Sequence, residues 1–321
     1  MYVIMITNRK FQEYGTESLS WQIRQIRAGK ASRKELKMIK RSVFFAMAVL
    51  LMVCGLSVFA QEPNPESDFK VEVNNTGGLV ITGYTGSRTD LVIPEEIQGL
   101  PVVRIGRRAF RNLSITSVVF PSTLSSIGDE AFSGSALTSI TIPETITSLG
   151  DSSFANSKLL VSVTINMRAG NLIRTRLLFD SCNSLTTVNF PPNMIVIPSG
   201  MFRDCSSLTS ITIPNGITDI GESAFDGTGL SSINLPEGVE KIYSRAFQDT
   251  KLTSVTLPST IIEIRDFAFM NNPTLTEFII PENLTRIKFG GLVFVNTNFD
   301  LRTKARLRQL GYSGSFLEEQ F

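Results

Sequence analysis

The chain has 321 residues, long enough for two ordinary domains or for one extended repeat domain. Hydrophobic residues at 42%, charged residues at 19%, 23 Gly and 14 Pro describe a folded, turn-rich protein rather than a disordered or collagen-like one. With no His, a Ser-His-Asp triad, a Cys-His pair and a His-ligated metal site are all excluded, and three Cys cannot build a four-thiolate zinc site.

The formal charge of +2 divides unevenly along the chain. Residues 1–60 carry 10 Lys/Arg against 3 Asp/Glu, and residues 61–321 carry 21 against 26, a balance of −5. The second segment therefore offers no electrostatic footprint for nucleic acid. Residues 1–37, with the single Trp21, read as an upstream extension from a misassigned start, Met38 being the expected one. Residues 38–60 have the three parts of a secretory signal peptide: Lys40 and Arg41, an apolar run from Val43 through Leu56, then Val58-Phe59-Ala60 before the polar Gln61-Glu62-Pro63. Cleavage after Ala60 leaves no membrane span in the mature chain. The alternatives are an uncleaved helix, since about 18 apolar residues just span a bilayer, and a lipidated Cys54, which Val53 disfavours because a lipobox wants a small residue there.

Residues 61–70 read as a Pro-punctuated linker, and 71–114 as an N-terminal cap with the first coil, from Leu79-Val-Ile-Thr-Gly-Tyr-Thr-Gly86 to Gly99-Leu-Pro-Val-Val-Arg-Ile-Gly106. Residues 115–299 are repeats. One motif runs Ile115-Thr-Ser-Val-Val-Phe-Pro121, Leu137-Thr-Ser-Ile-Thr-Ile-Pro143, Leu185-Thr-Thr-Val-Asn-Phe-Pro191, Leu208-Thr-Ser-Ile-Thr-Ile-Pro214, Leu230-Ser-Ser-Ile-Asn-Leu-Pro236, Leu252-Thr-Ser-Val-Thr-Leu-Pro258 and Leu275-Thr-Glu-Phe-Ile-Ile-Pro281, with Leu160 to Asn166 a copy lacking Pro. Behind it comes Ile-Gly-x-x-Ala-Phe, whose Phe recurs at 110, 132, 154, 179, 202, 225, 247, 269 and 294. A fixed period of 22–25 residues identifies a solenoid. Residues 300–321 read as a C-terminal cap helix and tail, with Thr303, Leu307 and Leu310 on one face and Gly311 closing the helix.

Each repeat contains one short parallel strand, Leu-x-x-Ile-x-Ile, with Thr and Ser facing out. Pro ends it, because a residue without an N–H cannot continue a ladder. Ile-Gly permits a tight reversal, and x-x-Ala-Phe is expected to be a short helical or 3-10 turn that drives Phe into the core. The fold class is thus an α/β repeat solenoid, with one short parallel strand and one short helical or 3-10 turn per repeat. A lone repeat buries too little to fold, so the coils must stack and the ends must be capped.

These letters resemble the leucine-rich repeats of BspA-like bacterial surface antigens, the treponemal class, over about residues 71–312. The opening Ile81-Thr-Gly-Tyr-Thr-Gly86 and the ending Leu307-Arg-Gln-Leu-Gly-Tyr312 are similar to terminal sequences of that group. The resemblance implies an exported protein, at the cell surface, in the periplasm or secreted, without a catalytic motif, whose relatives in some cases adhere to host matrix proteins or to other bacteria. Asn166, Ile173-Arg174, Ile197-Pro198 and the two 25-residue spacings depart from the pattern.

The outward strand position reads Thr141, Thr164, Asn189, Thr212, Asn234 and Thr256, a neutral face suited to an extracellular protein or glycan ligand. Such residues are also ordinary soluble strand formers. The irregular insert 167–178 carries Arg168, Arg174 and Arg176 as a second candidate site. Cys182 and Cys205 share one repeat position, three after the Phe, and form either a disulfide or, the favoured reading, part of a buried small-polar ladder. No metal or cofactor is implied. The leading function is a non-enzymatic adhesion module. Its rivals are a carbohydrate-active enzyme on a parallel β-helix, for which Asp129 and Asp151 are a thin carboxylate pair more simply read as turn caps, and a self-associating surface protein.

Overall fold

The computed structural model describes residues 61–316. The upstream extension, the proposed signal peptide with Cys54, and residues 317–321 lie outside the described residues. Residues 63–316 form one parallel β-solenoid of about nine turns. Each coil has three sides, and each side follows from a different part of the repeat.

The first side is the strand expected from Leu-x-x-Ile-x-Ile. Asp90–Val92 pairs with Ser117–Val119, Ser162–Ile165 lies between Ser139–Ile142 and Thr187–Asn189, and Ser254–Thr256 lies between Ser232–Asn234 and Glu277–Ile279, all parallel. The registers place like letters side by side: Thr141, Thr164 and Asn189 form one row, Asn234 and Thr256 another. The side is not continuous. Residues 208–214 carry the same letters yet form no strand, so Thr212 lies in a gap between two three-stranded sheets.

The second side is also a strand, which the sequence reading assigned to a reversal. Two residues before the Gly position pair across coils, Ser126–Ile127 with Ser148–Leu149, and Val196–Ile197, Asp219–Ile220, Lys241–Ile242, Glu263–Ile264 and Lys288–Phe289 in series. The glycines are needed here because neighbouring backbone fills the space. A Cβ on Gly150 would lie 2.2 Å from the Asp129 backbone nitrogen, and one on Gly221 2.7 Å from that of Ser199.

The third side corrects the expected helical or 3-10 turn. It is a run of tight turns in which the residues two before and two after each Phe are left-handed: Arg108 and Asn112 (φ 60° and 57°), Glu130 and Gly134 (53° and 72°), Ser152 and Asn156 (56° and 59°), and so on to Leu292 and Asn296. This alternation sends backbone N–H groups in two directions. Those of Glu130, Phe132 and Gly134 donate to the next coil, to the carbonyls of Asp151, Ser153 and Ala155, while those of Ala131, Ser133 and Ser135 close turns within their own coil. A continuous helix would point every N–H along its own axis and leave the coils unlinked on this side. A left-handed non-Gly residue costs about 1–2 kcal/mol, whereas a buried N–H left unpaired costs about 1–3. The ladder therefore outweighs the strain.

Inside, the nine Phe rings form one column. Successive centroids lie 4.9 to 6.1 Å apart and every successive pair of rings is stacked. The column is continued at its N-terminal end by Tyr84 and Phe69, and at its C-terminal end by Tyr312 and Phe316.

The ends are closed by different devices. Phe69–Val73 begins within the stretch read as a linker and pairs antiparallel with Leu79–Tyr84. Ahead of it Asn64 is buried: its backbone N–H donates to the Val92 carbonyl at 2.9 Å, and its side-chain oxygen accepts from the Val92 N–H at 2.7 Å. One residue thereby satisfies both backbone groups of Val92 on the edge of the first strand, which would otherwise be a template for pairing. At the other end the helix Leu301–Gln309 is capped by Asp300, whose carboxylate accepts from the Thr303 N–H at 2.7 Å, and buries Leu307.

Candidate functional site

The solenoid spends its interior on packing, so what remains for chemistry is on the outside of the strands and at the corners. Thr141, Asn189, Thr212 and Asn234 are exposed, and Thr164 and Thr256 are half-buried. Thr164 and Asn189 are linked, the Asn189 amide donating to the Thr164 hydroxyl at 3.1 Å. The neighbouring outward positions are Ser139, Ser162, Thr187, Ser232 and Ser254, so the two sheets present hydroxyls and amides with no charge until Glu277. Ile279, beside Thr256, ends the second row in an exposed apolar residue, and Val119 is exposed at the same outward position on the separate Asp90–Val92 and Ser117–Val119 pair.

Arg168, Arg174 and Arg176 are exposed but lie on a different side of the coil. The insert leaves the strand side at Asn166, makes a 3-10 turn over Ala169–Leu172, and replaces the second strand of its coil. Leu172 anchors it in the core, and the Thr175 hydroxyl donates to the Leu149 carbonyl at 3.2 Å where a ladder N–H would have done so. The insert and the strand face are therefore two surfaces, and the fold does not bring them together into one site.

The acidic pair is structural. Asp129 accepts the Asp151 N–H at 3.0 Å, and Asp151 accepts the Arg176 N–H at 2.8 Å, each carboxylate capping the turn of the next coil. On the first coils Glu130 sits among Arg107, Arg108 and Arg111, with Arg108 closest at 2.7 Å. The hydrogen bond from Arg108 holds Glu130 below the usual carboxylate range against its partial burial. Asp226 goes the other way: burial pushes it up to about 6, with Asp249 and Asp204 adding repulsion and the Ser223 hydroxyl and Arg203 only partly compensating. Among the described residues no group of three His, Cys, Asp or Glu is placed to hold a metal ion. No described helix is long and apolar enough to cross a membrane.

Cys182 and Cys205 are separate and buried. Each thiol donates to the carbonyl of the preceding coil's Phe, Cys182 to Phe154 at 3.4 Å and Cys205 to Phe179 at 3.2 Å. The bridge considered for them is not formed, because side chains stacked in register point the same way rather than at each other. They belong to the buried small-polar ladder, which runs through most of the stack. Ser135 and Ser157 share a hydrogen bond at 2.9 Å, Thr228 and Thr297 donate to the carbonyls of Phe225 and Phe294, and the Asn272 amide reaches those of Phe247 and Phe269. The signal was present in the sequence: every coil but the first has a small polar or thiol residue three after its Phe.

The geometry defines the class: a stacked-coil solenoid with a hydroxyl-rich outer strand side and an interior filled by one aromatic column. The chain belongs to the BspA type leucine rich repeat family, whose model matches six copies over residues 103–208 and 173–300. It is similar to a leucine rich repeat protein of Treponema pallidum, 25% identical, over 80% of this chain and 99% of that one (TM-score 0.44). It is also similar to a leucine-rich repeat protein of Bacteroides ovatus, 20% identical over 74% and 81% (0.49), and to a leucine rich cell surface protein of Faecalibacterium prausnitzii, 22% identical over 72% and 79% (0.40). No curated protein matches the chain.

Burial pushes the Cys182 thiol up to about 12 and Cys205 well above its ordinary value. A thiol reacts as thiolate, so at pH 8 both should resist iodoacetamide in the folded chain. After unfolding without reductant both should alkylate, read by peptide mapping. Two blocked thiols in the unfolded, unreduced chain would contradict the ladder.

Proposed function

We propose that the chain is an exported, non-enzymatic adhesion module that uses its outer strand side to hold an extended extracellular protein or glycan. The observation that carries this is the pair of in-register rows of outward side chains, Thr141, Thr164 and Asn189 in one and Asn234 and Thr256 in the other. A flat face of this kind, uncharged along its length, suits many shallow contacts with a long ligand rather than enclosure of a small one. Membership of the repeat family supports the reading. The rival enzymatic reading loses support because Asp129 and Asp151 are engaged by backbone N–H groups.

The test uses beads carrying the chain on surfaces coated with gelatin, mucin or a neutral β-glucan. Thr164→Lys, Asn189→Lys, Thr212→Lys and Asn234→Lys together should cut retention at least tenfold on the surface that holds the wild type. Arg168→Ser, Arg174→Ser and Arg176→Ser should leave it unchanged, and retention should depend weakly on salt. The reverse pattern moves the site to the insert, and a wild-type chain held by none of the three contradicts the adhesive reading.

Export rests on the signal-peptide pattern of residues 38–60. Mass spectrometry of the exported chain should find a start at Gln61. A membrane-held chain still beginning at Met38, or an acylated Cys54, would contradict it.

A further inference from the structure

The corners that join the turn side to the strand side differ in length. From Phe to the first Leu or Ile of the next strand there are five positions in the coils of Phe110 and Phe132, but six in that of Phe154, where Lys158 and Leu159 stand in place of the single Ala136. Two short corners followed by a long one make a step, and the step walls an open groove of about 530 Å³ on the outside of the solenoid. Its size falls in the usual range of small-ligand sites, roughly 300–1,000 Å³.

The floor is Gly134. It is left-handed, φ 72°, and a Cβ there would meet the Asn112 side-chain oxygen, so the glycine leaves room beside the Asn112 amide, with Asn156 also lining the groove. Two cations stand at the ends, Arg111 on the first coil and Lys158 two coils on, both exposed, and no carboxylate lines the groove. Arg111 is paired with Glu130, but through Nε, at 3.2 Å. Glu130 keeps Arg108 as well, so it does not depend on Arg111. Leu159, 55% exposed, supplies an apolar rim.

We propose that this groove binds an acidic oligosaccharide, with Arg111 and Lys158 each taking a carboxylate, Asn112 and Asn156 taking hydroxyls, and Leu159 packing on the C–H face of a ring. Coil spacing of about 4.8 Å sets the two cation-bearing coils about 10 Å apart along the stack, a separation that one small anion does not bridge and two successive uronate residues can. The same step in corner length recurs at Pro273 and Thr274 and makes a second groove of about 420 Å³, lined by Asp249, Lys251, Asn271 and Asn296. There one carboxylate and one cation share the lining, with no second cation. The second groove is a smaller corner groove of different charge and serves as an internal comparison. The inference is independent of the strand-face reading, since none of its residues lies in the Thr/Asn rows.

The experiment is calorimetric titration of the full chain at low salt with digalacturonate, with neutral digalactose and with inorganic phosphate. Digalacturonate should bind at least tenfold more tightly than either comparison ligand. Arg111→Gln and Lys158→Gln should each weaken it at least fivefold with unchanged melting temperature, and Lys251→Gln in the second groove should not alter it. No digalacturonate binding, equal binding of digalactose, phosphate binding as tight as digalacturonate, or equal loss from Lys251→Gln would each overturn the proposal.

Discussion

Everything in this molecule depends on the coils staying in register along the aromatic column. A Phe that must stack on the Phe of the coil before and after it, at 4.9 to 6.1 Å, fixes the rise per coil. That rise is close to the strand spacing of about 4.8 Å, so both strand sides can form their parallel ladders only while the column holds. The turn side meets the same spacing at a cost in backbone conformation, two left-handed residues per coil. It is offset by backbone bonds from Glu130, Phe132 and Gly134, and from their equivalents in the later coils as far as that of Phe269, to the coil that follows.

A coil held mainly by its neighbours leaves little freedom inside. The Phe carbonyls are met by the hydroxyls, thiols and amide of the ladder from Ser157 to Thr297, and inward apolar positions are filled by Ile, Leu and Val. Asn64 and the helix at Leu301–Gln309 close the two ends, as a stack of this kind requires. Functional variation is thereby pushed to the outward strand letters, the insert at 167–178 and the corners, where one residue more or less changes the surface without touching the column.

The strand letters and the Phe period were legible because each is set by burial at a fixed place in every coil. The third side was misread as helical for a physical reason. Apart from Gly200, the left-handed position before the Phe is filled by Arg108, Glu130, Ser152, Leu177, Ser223, Arg245, Phe267 and Leu292, residues with no common preference, so stacking imposes the conformation and propensity does not announce it. The position after the Phe was readable. Eight of its nine members, Asn112, Gly134, Asn156, Asp204, Gly227, Asp249, Asn271 and Asn296, are residue types that tolerate a left-handed backbone, Ser181 being the exception. The loss of the strand at 208–214 had no sequence sign, since Leu208-Thr-Ser-Ile-Thr-Ile-Pro214 is letter for letter the copy at Leu137, which forms one. The cation-lined groove was hidden for another reason: Arg111 and Lys158 are two coils apart, and only the count from Phe to the next strand marks the step between them.

The central claim is that the turn side is a bonded ladder between coils. Amide hydrogen exchange resolved to single residues tests it most directly. The account predicts alternation along each turn in the middle of the stack, with the N–H groups of Gly200, Phe202 and Asp204, which donate to the next coil, protected like those of the strands, and those of Met201 and Arg203, which close local turns, exchanging faster. Uniform protection across residues 200–204, as a helix would give, or fast exchange throughout, would contradict it.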